Sequence, residues 1–143
     1  MIFDPETAAG ARALERLRDP KEMTIWLTTV TPDGQPQSMP VWFAWLEDEI
    51  LVYGDHRAKR NANLEANPRV NLHLRENDGG GDLVVIDGTA RIDPDYPQPA
   101  DQPAYLAKYG AVIDQYYGGP SGFGQTYSMP IRITPTKGRA FLG

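Results

Sequence analysis

The spacing of apolar residues predicts a helix near the start of the chain, followed by strands. Within residues 5–18, apolar side chains recur every three or four positions, which is the spacing of one helix face. Asp4 stands where a helix cap is expected, and Asp19-Pro20 ends the segment. From Thr24 to Thr31 the residues become β-branched and aromatic, which predicts a strand.

A second strand, Gln37 to Leu46, follows a turn at residues 32–35. This strand is apolar on both faces, with Met39 and Phe43 on one face and Trp42 on the other. Such a strand is covered on both sides, by the core on one and by a partner or ligand on the other. Two interpretations of its aromatic residues therefore stay open, a core or dimer contact and stacking on a substrate.

The rest of the chain alternates short strands with helices and loops. The first three strands are joined by short turns and predict an antiparallel meander, and Gly88 predicts a bulge within a later strand. Six or seven antiparallel strands with two or three short helices predict one mainly β (α+β) domain over residues 1–143, built as a closed or partly closed barrel. The further strands are Glu49 to Tyr53, Arg69 to Arg75, Leu83 to Ile92, Tyr127 to Thr134 and Gly138 to Leu142; the further helices are Ala58 to Ala66 and Tyr105 to Tyr117; residues 77–82, 93–103 and 118–124 are loops.

Composition narrows the classes of function. The chain has 14 Lys and Arg against 19 Asp and Glu, a net charge of −5, so it lacks the excess of cations that nucleic-acid binding needs. The absence of cysteine excludes disulfides, thiolate zinc sites and cysteine nucleophiles. No apolar run is long enough to span a membrane, and the first twenty residues lack the apolar segment of a secretory signal. We therefore expect a cytoplasmic protein that binds neither nucleic acid nor a membrane.

The segment with the clearest chemical signal is a basic cluster where a loop becomes a helix. Arg57, Lys59 and Arg60 place three cations within four residues. In an acidic protein this cluster is a candidate site for a phosphate or another anion. The residues alone also allow a solvated basic face on a short helix, so the spacing does not decide between the two.

Other candidates for chemistry are weaker. Gly79-Gly80-Gly81 is followed by neither a helix nor a lysine, so it matches a hairpin loop better than a phosphate-binding loop. His56 and His73 have no partner at metal-ligand spacing, and we predict no metal site. No serine lies in the setting of a hydrolase nucleophile, and we assign no catalytic residue.

Five segments resemble a known family. The runs TPDGQPQSMPVWFAW, ILVYGDHRAKRNANLEANPRV and LVVIDGTARI resemble the split β-barrel flavin and deazaflavin oxidoreductases of the pyridoxamine-5′-phosphate-oxidase-like class. The runs YLAKYG and YSMPIRITPTKGRAF resemble its branch of probable coenzyme F420-dependent enzymes. The resemblance begins at Met23 and continues in order, and its most specific part is the block that starts at Arg57 and ends at Pro68.

The resemblance implies an FMN-binding type of split barrel that forms a homodimer, with the cofactor in a groove between the subunits. It places the cofactor phosphate on Arg57 and Lys59, and the charge of Arg60 suits the same anion. It also implies that Gly80, Gly81 and Asp82 approach from the partner subunit, although many relatives carry an aromatic residue there. The other cofactor contacts that it implies are Ser38, Met39, Pro40 and Val41 along the ring, with Val52 and Tyr53 beside it.

The function implied is hydride transfer between coenzyme F420 and a small electrophilic organic substrate. Two alternatives stay open: an FMN-dependent oxidoreductase or flavin reductase, and a non-catalytic protein that binds a cofactor or tetrapyrrole. The chain lacks the C-terminal Arg and Trp motif of true pyridoxamine phosphate oxidases, which disfavours that activity. Because the cofactor supplies the difficult chemistry, the protein needs no acid or base for the hydride step, and Tyr127 is a candidate proton donor.

Overall fold

A computed structural model describes all residues from 1 to 143, as seven strands, four α-helices and a short 3₁₀ helix. All strand pairs are antiparallel, which confirms the predicted mainly β architecture. The strands are β1 Thr24–Val30, β2 Pro36–Trp42, β3 Ala44–Leu46, β4 Glu49–Gly54, β5 Arg69–His73, β6 Leu83–Ile92 and β7 Met129–Phe141; the helices are α1 Ala8–Arg18, α2 Arg60–Ala66, α3 Pro103–Tyr117 and α4 Pro120–Thr126, and the 3₁₀ helix is Pro99–Asp101.

The seven strands form one sheet in the order β2-β1-β5-β6-β7-β4-β3. Strands β2 and β3 therefore lie at opposite edges, although only Phe43 separates them in the chain. A single residue can join the two edges only if the sheet curls round until they meet. The result is a half-barrel of the split type, as the sequence predicted.

The break in the predicted second strand has a local cause at Phe43. The Phe43 N–H donates to the Tyr109 hydroxyl at 2.9 Å, and the Phe43 carbonyl accepts from Lys108 Nζ at 2.9 Å. Because side chains of α3 form hydrogen bonds with the N–H and the carbonyl of this buried residue, Phe43 joins no strand. The prediction of one strand from Gln37 to Leu46 was therefore wrong, and so was a simple meander, since β4 pairs with β3 and β7.

Three further expectations are corrected. The side chain of Thr7 caps α1, not Asp4, by accepting a hydrogen bond from the Gly10 N–H at 3.0 Å. The last two predicted strands form the continuous β7, whose pairing with β6 shifts register between Asp87 and Gly88, where the bulge was predicted. The predicted loop 118–124 contains most of α4.

Two clusters of buried side chains form the core. Eighteen residues fill the inside of the half-barrel, including Ile25, Leu72 and Ile133. A second cluster of seven lies between α3, α4 and the sheet, and it contains Tyr105 and Tyr109 with no measurable exposure. None of the helices has the length and apolar character that crossing a membrane requires.

Candidate functional site

A cavity of about 450 Å³ opens where the second cluster meets the basic segment. The ends of β2 and β4 form one side, the start of α2 forms another, and α3 with α4 form the third. Its volume lies within the range of small-molecule sites, and its walls are mostly apolar. The lining residues are Thr24, Pro40, Val41, Trp42, Tyr53, Gly54, Asp55, Ala58, Arg60, Tyr105, Tyr117, Phe123 and Tyr127.

A column of stacked aromatic rings forms the wall on the side of α3 and α4. Tyr109 stacks on Trp42 with ring centres 4.7 Å apart and planes 5° apart. Trp42 stacks on Phe123 at 5.7 Å and 10°, and Phe123 stacks on Tyr127 at 4.7 Å and 22°. Tyr117 stands edge-on to the last three of these rings. Tyr127 ends the column at the cavity.

Arg60 brings a positive charge to this apolar space. Its Nε is sealed from solvent and has no hydrogen-bond partner, and the guanidinium group forms no ion pair. Burial lowers the pKa of Arg60, and the field of Asp55 opposes that shift only in part. A Cβ on Gly54 would lie 3.2 Å from Arg60 Nη2, so the missing side chain leaves room for the guanidinium.

The other two predicted cations point elsewhere. The side chain of Arg57 is 70% exposed and pairs with Asp55, with Nη2 3.1 Å from Oδ2. Hydrogen bonds from Arg57 lower the pKa of the Asp55 carboxyl. Lys59 is exposed and makes no side-chain contact that caps α2. Residues 55–60 thus carry three cations and one carboxylate beside the cavity, and of these charged residues Asp55 and Arg60 line it.

The predicted ring contacts divide between the cavity and its surroundings. Pro40, Val41 and Tyr53 line the cavity. Ser38 lies on the exposed edge strand, where its hydroxyl is 2.5 Å from that of Thr28. Met39 on the same edge is 60% exposed, whereas Val52 belongs to the core of the half-barrel.

The predicted partner loop lies at the other end of β5 from α2, roughly 16 Å along a strand of five residues. Asp82 pairs there with Arg12, with Oδ2 3.0 Å from Nη2, and lies 3.7 Å from Arg16 Nη1. The Gly81 N–H donates to the Asn77 side chain, and Gly80 is exposed. Within one chain the loop and the basic segment therefore do not share a site.

Several tyrosines at the cavity are held in the neutral form. Burial raises the pKa of Tyr53 and of Tyr105. A hydrogen bond with Tyr117, together with burial, raises the pKa of Tyr127. Tyr53 donates to the Pro97 carbonyl at 2.6 Å, but the buried Tyr105 hydroxyl has no partner. These side chains offer neutral hydroxyl groups near the cavity.

Sequence reasoning missed the contribution of the α3–α4 segment. Tyr105, Tyr117 and Phe123 line the cavity, but the first two were only the ends of a predicted helix and Phe123 lay in a predicted loop. The density of aromatic residues between 105 and 127 is a signal that could have indicated an aromatic wall. Trp42 had two open interpretations, and the structure places it both against the second cluster and at the cavity.

The family model described as Pyridoxamine 5'-phosphate oxidase matches residues 12–140. The chain belongs to this family. No curated protein matches it.

Similar solved structures share the fold over most of its length. An F420 reductase is 25% identical with a TM-score of 0.62, and the match covers 87% of this chain and 94% of that one. The heme storage protein HutZ from Vibrio cholerae is 20% identical with a TM-score of 0.65, covering 100% and 98%. A FAD-binding protein from Mesorhizobium loti is 20% identical with a TM-score of 0.64, covering 90% and 88%. The chain therefore has the flavin-type split barrel that the sequence predicted.

Proposed function

We propose that the protein is an oxidoreductase that transfers a hydride between coenzyme F420 and a small electrophilic organic molecule. The observation that carries the proposal is the excess of cations at residues 55–60, a segment that borders an aromatic cavity in a chain of this family. Coenzyme F420 carries a phosphodiester and a polyglutamate tail. A local excess of positive charge attracts such a tail although the whole chain carries −5.

Arg57 and Lys59 are the residues we assign to the cofactor phosphate. Both are exposed, so a bound phosphate reaches them without displacing the core. The planar guanidinium of Arg57 suits bidentate binding, and a phosphate would compete with Asp55 for it.

The bound deazaflavin supplies the hydride chemistry, and the chain binds, orients and shields it. The aromatic wall excludes water from the reacting centre. The raised pKa of Tyr127 keeps its hydroxyl neutral, so it can donate a hydrogen bond at the cavity, and it also makes this candidate proton donor a weaker acid.

A homodimer is part of the proposal. Ser38 and Met39 lie exposed on the edge strand, and the loop at Gly80 to Asp82 lies far from the basic segment of the same chain. A second copy of the chain would bring its loop to the edge strand and complete the cofactor groove.

FMN is the alternative cofactor, because its terminal phosphate suits the same cations, and the FAD-binding neighbour has the same fold. A non-catalytic carrier of a cofactor or tetrapyrrole is the second alternative, and the similarity to a heme storage protein is what favours it.

Spectroscopic titrations with coenzyme F420 and FMN, side by side, test the proposal. We expect micromolar or tighter binding of F420, and oxidation of its reduced form when a small quinone is added. Replacing Arg57 and Lys59 by Ala should weaken binding by about 1.5–3 kcal/mol for each charged hydrogen bond lost. The melting temperature of the empty protein should change little, because both side chains are exposed.

Arg69→Ala, an exposed cation at the start of β5 outside the cavity, is the matched control and should leave binding unchanged. Lack of F420 binding at micromolar concentrations would contradict the proposal. Tight FMN binding instead would identify the FMN-dependent alternative, and binding without turnover of any acceptor would identify a carrier.

A further inference from the structure

Arg60 differs from its two neighbouring cations in its surroundings. Arg57 has a carboxylate partner and Lys59 is in solvent, whereas Arg60 lines the cavity with its Nε sealed and unpaired. An Nε–H group that leaves water without gaining a hydrogen-bond partner costs free energy of folding. The arrangement is therefore better suited to receiving an anion inside the cavity than to holding a phosphate at its entrance.

The aromatic wall indicates the shape of the molecule that brings this anion. The four stacked rings end at Tyr127, which lines the same cavity as Arg60. A flat conjugated ring placed against Tyr127 would add one more member to the column, in the offset-stacked arrangement that aromatic rings prefer. A saturated, puckered ring would not make this contact.

We propose that the cavity of a single protomer is the substrate subsite, and that the substrate is a flat conjugated anion, such as an aromatic carboxylate. Its ring stacks on Tyr127 and its anionic group binds Arg60. This inference rests on the proposed function in one respect, because it takes the occupant to be the substrate and leaves the cofactor phosphate to Arg57 and Lys59. It departs from two sequence expectations, that Arg60 binds the cofactor and that Pro40, Val41 and Tyr53 lie along the cofactor ring.

Binding of 2-naphthoate to the full chain, measured by calorimetry, tests the inference without any cofactor. The neutral 2-naphthamide tests the charge, and the saturated decahydro-2-naphthoate tests the flat ring. We expect wild-type protein to bind naphthoate at least tenfold more tightly than either analogue. Arg60→Gln should weaken naphthoate binding ten- to a hundredfold and leave naphthamide binding unchanged, because only the charged hydrogen bonds are lost.

Variants of Tyr127 test the stacking contact. Tyr127→Leu should weaken binding of both naphthalene compounds about three- to tenfold. Tyr127→Phe keeps the aromatic ring and should bind both compounds as tightly as the wild type does. Tyr116→Leu is the matched control, because Tyr116 lies on α3 but is 70% exposed and outside the cavity. Retained naphthamide binding in Arg60→Gln shows that the cavity is still folded.

The possible outcomes separate this inference from the proposed function. Naphthoate binding that does not saturate, or that is equal in wild type and Arg60→Gln, overturns the subsite. Arg60→Gln weakening F420 or FMN as strongly as naphthoate assigns Arg60 to the cofactor and also overturns it. If naphthoate binds in the expected way but neither cofactor binds, the proposed function fails and the subsite stands.

Discussion

At the scale of single residues, Tyr105 and Tyr109 on α3 form a natural comparison. Both are fully buried tyrosines of the same cluster. The Tyr109 hydroxyl accepts from the Phe43 N–H and lies 2.6 Å from the Met23 carbonyl oxygen, while the Tyr105 hydroxyl has no partner. A buried polar group without a hydrogen bond destabilises the fold, so the two hydroxyls should have opposite effects on stability.

Tyr105→Phe should therefore raise the free energy of unfolding by about 1 kcal/mol, because it removes an unpaired hydroxyl and keeps the ring. Tyr109→Phe should lower it by roughly 1–3 kcal/mol, because the buried Phe43 N–H loses its acceptor. Urea unfolding of the two variants and the wild type measures both. A loss of stability in Tyr105→Phe as large as that in Tyr109→Phe would show that the Tyr105 hydroxyl is paired.

Lys108 links stability to pH. Its Nζ lies 3.8 Å from the centre of the Phe43 ring, and burial lowers the pKa of Lys108 to about 8 from the ordinary 10.5. Between these values the unfolded chain holds the proton and the folded protein has released it. Raising the pH through this window therefore relieves the cost of burying the charge and stabilises the fold.

The unfolding free energy of the wild type minus that of Lys108→Met should accordingly become more positive from pH 8 to pH 10. Below pH 8 the difference should be constant. Comparing the two proteins cancels the tyrosines, whose raised pKa values lower stability at still higher pH in both. Urea unfolding in steps of one pH unit provides the measurement, and a difference that is flat or falls with pH contradicts the assignment.

At the scale of elements, the sequence predicted what local patterns determine. The helix near residues 5–18, the strand Leu83 to Ile92 and the bulge at Gly88 follow from spacing and from one glycine. The break at Phe43 did not follow, because its cause is a contact with α3, more than sixty residues away in the chain. Helix α4 was missed because its glycines favour a loop when tertiary contacts are not known.

Two glycines of α4 show what holds this helix in place. A Cβ on Gly122 would lie 2.1 Å from the Tyr117 carbonyl oxygen, so the end of α3 approaches α4 only because Gly122 has no side chain. A Cβ on Gly124 would meet nothing within 4 Å.

Gly122→Ala should lower the free energy of unfolding by roughly 1–3 kcal/mol, because the backbone of one helix must move. It should also weaken ligand binding, since α4 carries Phe123 at the cavity. Gly124→Ala, the matched control, should raise the free energy by about 0.5–1 kcal/mol, as expected for alanine in a helix. Thermal unfolding of the two variants and the wild type measures both changes in stability. Equal effects of the two substitutions would indicate that α4 does not pack tightly on α3.

At the scale of the whole molecule, the outer face of the sheet shows a row of four neighbouring residues on four strands, three of them apolar. Trp26 on β1 is 38% exposed and stacks on His73 of β5, with ring centres 6.1 Å apart. Pro40 on β2 and Val85 on β6 are the cross-strand neighbours of these two residues. A row of this kind on the outside of a sheet suits contact with a second copy, as the proposed homodimer requires.

Trp26→Asp should convert the proposed dimer to a monomer, because a charge at the centre of an apolar contact is costly to bury. Light scattering after size exclusion gives the mass, and circular dichroism checks that the fold is intact. Tyr116→Asp is the control, because Tyr116 is 70% exposed and lies on α3, outside the sheet. A wild-type protein that is monomeric at high concentration would falsify the dimer and leave the groove open on one side.

The candidate site could be predicted only in part, because it combines residues from distant parts of the chain. The sequence predicted the basic segment and the strand residues Pro40 and Val41, and the structure brings both to one cavity. It could not separate Arg60 from Arg57, since the direction of each side chain depends on Gly54 and Asp55 beside them. The aromatic wall depends on α4, and so it could not be derived from local pattern.

The junction at Phe43 ties the cavity to the closure of the barrel. Trp42 lines the cavity and Phe43, the next residue, joins the two sheet edges. A molecule that immobilises Trp42 also restrains Phe43, because the two residues share a peptide bond. Binding in the cavity therefore stabilises the closed half-barrel against unfolding. Amide hydrogen exchange at residues 42–44 should consequently slow when the cavity fills, even though the rest of the sheet stays as it was.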